Sequence, residues 1–150
     1  MAIVVDRRYE PLLDDPDDYR PNSEIAFVVD PETPSGEFVH DLILLFENMA
    51  AGDRIPLHTH PMEEVIIIEE GSAEVTLGDE RRVVGPGAVV FIPVGKPHGI
   101  RNATERLVRL HGVFPSSVVA LQYIERNPAP GTQGDPPQPP LSINVRELPR

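Results

Sequence analysis

The sequence predicts an all-β domain, and three observations carry that prediction. Eighteen prolines are spread through 150 residues, which leaves few intervals long enough for a helix. The apolar residues fall in short runs bounded by Gly, Pro, Asp or Asn, the pattern of strands separated by turns. Aromatic residues make up only 5% of the chain and Trp is absent, so the core must be built mainly from Val, Ile and Leu, which suit a pleated surface.

Taken in chain order, the first stretch is EPLLDDPDDYRPNSE, acidic and broken by proline, and it reads as loop or arm rather than core. Residues 1–35 hold nine acidic residues against three arginines, a local net of 3 − 9 = −6, which favours a solvated acidic arm. The runs IAFVVD, FVHDLILLFENM, EEVIIIEE, SAEVTLGD, RRVV, AVVFIP, HGIRN and RLVRLHGVF then follow, each short enough for one strand. EEGSAEVTLGDERRVVGPG reads as two consecutive hairpins turning at Gly71-Ser72 and Gly78-Asp79. VIII is apolar at consecutive positions, so Ile66 and Ile68 should occupy one face, Val65 and Ile67 the other, and both faces should be covered. Short strands at this spacing suggest a sandwich or a barrel, and in a small barrel the second face usually needs a partner, which makes a homodimer plausible. SSVVALQYIE fits either a last strand or a short helix, and NPAPGTQGDPPQPP should run as an extended, polyproline-like tail. The expected organisation is an arm over 1–35, one barrel over 36–126 and a tail over 127–150.

Charge and composition exclude several functions. A net charge of −11 and a sequence pI near 4.8 argue against nucleic acid and against an anionic membrane surface, since both attract clustered Lys and Arg. Cysteine is absent, so there is no disulfide, thiolate zinc site or thiol nucleophile, and any metal must be held by His, Asp or Glu. MAIVVDRRYE has too short an apolar run for a signal peptide, and no segment approaches the length of a membrane span. A cytoplasmic location is the expectation.

The stretch HTHPMEE, residues 58–64, raises the chemical question. On a strand, residues two apart share a side, with Cα atoms about 7 Å apart, so His58 and His60 can converge on one ion while Thr59 faces away. Glu64 opens the next run on the same face as Ile66 and Ile68, and His98 follows a Pro-Val-Gly-Lys-Pro turn. Three imidazoles and one carboxylate would suit a divalent first-row metal and leave positions free for water or substrate. Each residue alone has a plainer reading, as a surface histidine or a solvated charge at a strand end.

The frame around them is more specific. Residues 52–71 read GDRIPLHTHPMEEVIIIEEG and residues 87–102 read GAVVFIPVGKPHGIRN. At every fixed position these two stretches resemble the paired signature motifs of the cupin family, with the short spacer of small bacterial single-domain cupins. The resemblance covers roughly residues 38–115. It implies a double-stranded β-helix, a small jelly-roll barrel, with His58, His60, Glu64 and His98 as ligands to one metal inside it. Gly52, Gly71, Gly87 and Gly95 fall where tight turns require positive φ. Asn102 closes the second motif and is expected to serve backbone hydrogen bonding. Glu63 should point the other way and be solvated.

An ion so held keeps a net positive charge and can polarise a substrate oxygen, acidify water or, if redox-active, engage dioxygen. Iron, manganese, nickel, cobalt, copper and zinc all satisfy the donor set. The family implies dioxygenases, oxalate-converting enzymes, isomerases and lyases, and the fold does not choose among them. An aliphatic barrel lining suits a small, largely apolar substrate bearing one or two oxygens, which makes a dioxygenase-type oxidoreductase the first expectation. A non-redox isomerase, decarboxylase or lyase and a non-catalytic ligand-binding barrel are the alternatives. His111 is a candidate acid or base, His40 a weaker one, and Arg54, Arg101 and Arg109 are either carboxylate clamps or partners in salt bridges.

Overall fold

The computed structural model describes residues 4–30, 36 and 39–148. Among these residues the regular structure is strand throughout, apart from one short 3-10 turn at Val145–Glu147. No helix is long and apolar enough to cross a membrane. The strands are β1 (Glu10–Leu12), β2 (Arg20–Val28), β3 (Ile43–Met49), β4 (Arg54–Thr59), β5 (Glu64–Glu70) and β6 (Ala73–Leu77). They continue as β7 (Glu80–Val84), β8 (Val89–Ile92), β9 (His98–Arg101), β10 (Val108–Phe114), β11 (Val118–Tyr123) and β12 (Leu141–Asn144). Two six-stranded sheets result, ordered β1-β2-β3-β10-β5-β8 and β12-β11-β4-β9-β6-β7. Their antiparallel pairing and the many crossovers between them make a jelly-roll barrel.

Period-two patterning explains which residues fill the barrel. In β5, Glu64, Ile66 and Ile68 are buried, while Val65 and Ile67 are only half-buried on the outer face. β10 alternates in the same way, with Val108, Leu110, Gly112 and Phe114 inward. Met49, Ile66, Ile68, Val75, Ile100 and Leu110 form one aliphatic cluster between the sheets, and Ile43, Leu45, Phe114, Val119 and Val145 form another. Burying each such side chain contributes about 1.5–3 kcal/mol.

Three expectations need correction. Gly78-Asp79 does turn a hairpin, since Leu77 pairs with Glu80. Gly71-Ser72 does not, because β5 and β6 belong to different sheets. That turn carries the chain from one sheet to the other. Gly71 has φ +80, and a Cβ there would come within 2.6 Å of the Leu107 carbonyl oxygen, so both conformation and space demand glycine. The other three motif glycines also have positive φ.

The acidic stretch near the start is not simply a solvated arm. β1 and β2 extend the first sheet, and Asp17, Asp18, Arg20 and Ser23 are buried. The reason is local charge matching. Asp18 takes a bidentate pair of hydrogen bonds from Arg20 at 2.7 and 2.8 Å, Arg20 also bonds Glu47, and Arg126 donates to Asp17. The net count of −6 hid these pairings.

The proline-rich end is likewise held in place. β11 is a strand, and β12 pairs with it from Val118↔Asn144 to Leu121↔Leu141. Between them, the Gln138 amide donates to Asp17 at 2.7 Å and the Tyr19 amide donates to the Asn127 carbonyl at 3.0 Å. The expected arm and tail therefore meet each other against the barrel.

Candidate metal centre

Three strands bring the predicted ligands together. His58 lies on β4, His60 just beyond its end, Glu64 at the start of β5 and His98 at the start of β9. β4 pairs with β9 so that His58 and His98 are direct neighbours. All four side chains are buried, and their candidate ligand atoms lie within 4.8 Å of one another. Glu63 is exposed, as its opposite orientation on the strand requires.

The hydrogen bonds define the chemistry of the cluster. His58 Nδ1 donates to the Pro56 carbonyl at 2.7 Å, His60 Nδ1 to the Ala120 carbonyl at 2.7 Å and His98 Nδ1 to the Lys96 carbonyl at 2.8 Å. A carbonyl oxygen only accepts, so each Nδ1 carries the hydrogen and each Nε2 presents its lone pair. Those Nε2 atoms point at one another and at the carboxylate. His58 and His60 Nε2 are 3.0 Å apart, and Glu64 Oε2 is 2.9 Å from His98 Nε2 and 3.3 Å from His60 Nε2. Four electron-pair donors converge with no hydrogen between them, an arrangement that repels itself unless a cation sits at its centre. The donor set therefore fits a divalent metal, with backbone carbonyls fixing each imidazole as outer partners do in metal sites.

Electrostatics agree. Burial, followed by the neighbouring His98 and His60, pushes the His58 imidazole down to about 3, so it is neutral near pH 7. Burial pushes Glu64 up, but the adjacent His60 and His98 imidazoles outweigh it and hold the carboxyl down at about 2. A neutral His58 and an ionised Glu64 are protonation states that suit a ligand set.

The space beside the cluster is a cavity of about 280 Å³. Its wall is mostly apolar, with Ile25, Phe27, Leu45, Ile66, Ile100 and Leu121 contributing. Gly112 lies against Glu64, where a Cβ would come within 3.4 Å of Glu64 Oε1.

Other expected site residues lie elsewhere. His111 is on the outer face of β10, opposite the inward Leu110 and Gly112, and contacts Phe46 at 5.6 Å between ring centroids and Glu69 at 3.5 Å. The expectation that it serves the centre as acid or base is corrected, because strand alternation turns it away from the cavity. His40 is exposed outside the cavity wall. Arg54 pairs with Glu125 at 3.1 Å, and Arg109 with Glu70 at 3.7 Å, so both act in salt bridges. Asn102 is fully buried, and its side chain donates to the carbonyls of Met49, Ala50 and Arg106.

Sequence reasoning missed Glu47, which lines the same cavity. The signal was present in FVHDLILLFENM, where the alternation Ile43, Leu45, Glu47, Met49 places an acid on the apolar face. The Ala120 carbonyl that orients His60 carried no side-chain signal.

Comparison with known proteins agrees with this fold and site. Residues 45–114 match the family model described as a cupin domain. The chain therefore carries a small cupin domain. Dimethylsulfoniopropionate lyase DddQ from Ruegeria pomeroyi is 41% identical over 69 residues, 45% of this chain and 34% of the relative. Its crystal structure superimposes with a TM-score of 0.55 and 26% identity, covering 77% of this chain and 55% of that one. Quercetin 2,3-dioxygenase from Bacillus subtilis is 33% identical over 78 residues, 51% of this chain and 23% of the relative. The chain thus spans well under half the length of either of these relatives in its sequence match. The polyketide cyclase RemF from Streptomyces resistomycificus superimposes over 85% of this chain and 82% of its own, with a TM-score of 0.61 and 27% identity.

Proposed function

We propose that the protein is a metal-dependent enzyme acting on a small, largely apolar organic molecule that presents an oxygen to the ion, with His58, His60, Glu64 and His98 as ligands. One observation carries this reading: four lone-pair donors converge at the wall of an apolar cavity, with every imidazole held in the Nδ1–H form. When bound, a divalent ion supplies Lewis acidity toward a substrate oxygen and, if redox-active, access to dioxygen chemistry. The chain's own part is to exclude water with aliphatic walls, to keep the three Nε2 atoms unprotonated and to hold Glu64 ionised. Gly112 leaves Glu64 Oε1 uncrowded.

Dioxygenase-type oxidation is the first reading of the reaction, supported by the 33% identity with quercetin dioxygenase over 78 residues. A second reading, Lewis-acid chemistry without dioxygen, is favoured by the breadth of the likeness to RemF and DddQ, which covers 85% and 77% of this chain. The assembly that best explains the half-buried outer residues of β5 is a homodimer.

Metal analysis of protein purified without a histidine tag should find one divalent transition metal per chain. An oxygen electrode then separates the two readings. Oxygen uptake with a diketone, flavonol or catechol-type acid supports the first, and product formed equally under nitrogen supports the second. Protein that binds no metal from an excess of iron, manganese, cobalt, nickel, copper or zinc overturns both.

A further inference from the structure

The cavity has a second polar wall, distant from the ligand cluster. Glu47 is 1% exposed and projects from the inner face of β3 into the space that His58, His60, Glu64 and His98 also line. Along the sheet, Glu47 pairs with Leu110 and Leu110 with Ile68, four residues from Glu64 on β5. That offset is roughly 13 Å along the strands and two strand spacings, about 10 Å, across them. Arg20 and Asp18 line the cavity beside Glu47.

The hydrogen bonding of Glu47 is incomplete. Arg20 donates to Oε1, and among the described residues Oε2 has no partner. No sealed side-chain nitrogen or oxygen among those residues lacks a partner, so this second oxygen must open onto the cavity. Arg20 is already held from the other side by both oxygens of Asp18. The guanidinium thus fixes the Glu47 carboxyl in place and leaves one oxygen free. A buried polar atom without a partner is costly, and a ligand hydroxyl would satisfy it.

Resting on the metal-centre reading above, we propose that Glu47 is a specificity-determining residue that binds a hydroxyl at the far end of the substrate, so that the substrate is an elongated molecule with an apolar middle and oxygen at both ends. Arg20 is the positioning residue for that carboxyl. The wall between the two poles is mostly aliphatic, which favours two-ended phenols, hydroxy-ketones and similar rigid molecules.

Calorimetry with two commercial probes tests this on the full chain, both metal-free and loaded with zinc. The probes are para,para-biphenol and para-phenylphenol, which differ only in the far hydroxyl. The wild type should bind the two-ended phenol about ten-fold tighter, the worth of one hydrogen bond to a charged group. Glu47→Leu should bring the two affinities within about two-fold of each other while keeping one zinc per chain. Glu47→Gln, which preserves shape and the bond from Arg20, should reduce the preference without altering the melting temperature, and serves if the leucine variant does not fold. Equal affinities for the two probes in the wild type, no binding of the two-ended phenol, or a preference that survives in Glu47→Leu would each overturn the proposal. Zinc stoichiometry on the same samples reports separately on the four-ligand centre: a preference that persists in protein unable to hold zinc would sink the metal reading and leave Glu47 standing.

Discussion

Two polar clusters are buried in this barrel, and they balance their charge in opposite ways. Around Asp18, Arg20 and Glu47 the chain brings its own cation, a guanidinium with its donors turned onto both carboxylates. Around His58, His60, Glu64 and His98 it brings only acceptors, because backbone carbonyls have taken the Nδ1 hydrogen of every imidazole. Buried carboxylates need a counter-charge. Arg20 provides it around Asp18 and Glu47; around Glu64 the chain provides none, so a cation from solution fits there.

The contrast can be broken most severely at the ligand cluster. His60→Ala or His98→Ala should lose stoichiometric metal, measured by elemental analysis, with an affinity drop exceeding the roughly 10–100-fold typical of outer hydrogen-bonding partners. Metal content unchanged from wild type would contradict the assignment. Next in size is Arg20→Met, which strands two buried carboxylates and should cost about 3–5 kcal/mol in denaturant unfolding. Adding Asp18→Asn and Glu47→Gln to it should recover much of that loss, since replacing a whole buried ion network is often near neutral; no recovery would mean that Arg20 acts through packing instead.

A smaller effect concerns pH. Burial pushes Asp17 up, but hydrogen bonds from Arg126 and Gln138 outweigh it and hold its carboxyl below the ordinary value. A depressed pKa contributes stability that is fully present above about pH 4 and is lost as pH falls through the lower folded value. Asp17→Asn should therefore flatten the acid limb of the stability profile, and urea titrations between neutrality and about pH 3 read this directly. An acid limb as steep as that of the wild type would exclude Asp17 as its source. Least of all should follow from Glu63→Gln. That exposed side chain is expected to shift stability by no more than about 0.5 kcal/mol and to leave metal content unchanged; a loss of metal would reverse the assignment of Glu64 over Glu63.

The barrel and its ligand set were legible because both rest on local rules. Period-two alternation placed His58 with His60 and Glu64 with Ile66 and Ile68, proline and glycine spacing marked the strand ends, and the resemblance to the cupin motifs joined these residues and His98 into one ligand set. The terminal segments were less legible, because their order depends on partners far away in sequence. Asp17 is buried by Arg126 and Gln138, Asn127 bridges to Asp18 and Arg54, and β12 needs β11 beside it. A charge tally over residues 1–35 cannot register an arginine at position 126. The Gly71-Ser72 turn failed for a related reason, since a hairpin and a crossover between sheets can share the same two turn residues. His111 was indistinguishable from a site residue until its register on β10 was known.

The placement of β1 has a practical consequence. Pro11, Leu12 and Leu13 form part of the chamber wall, and the Tyr123 hydroxyl donates to Asp15 and ties that segment down. A worker who trims the acidic segment to improve crystallisation would remove part of that wall. A ligand screen on such a shortened protein that came back blank would say nothing about the intact chain.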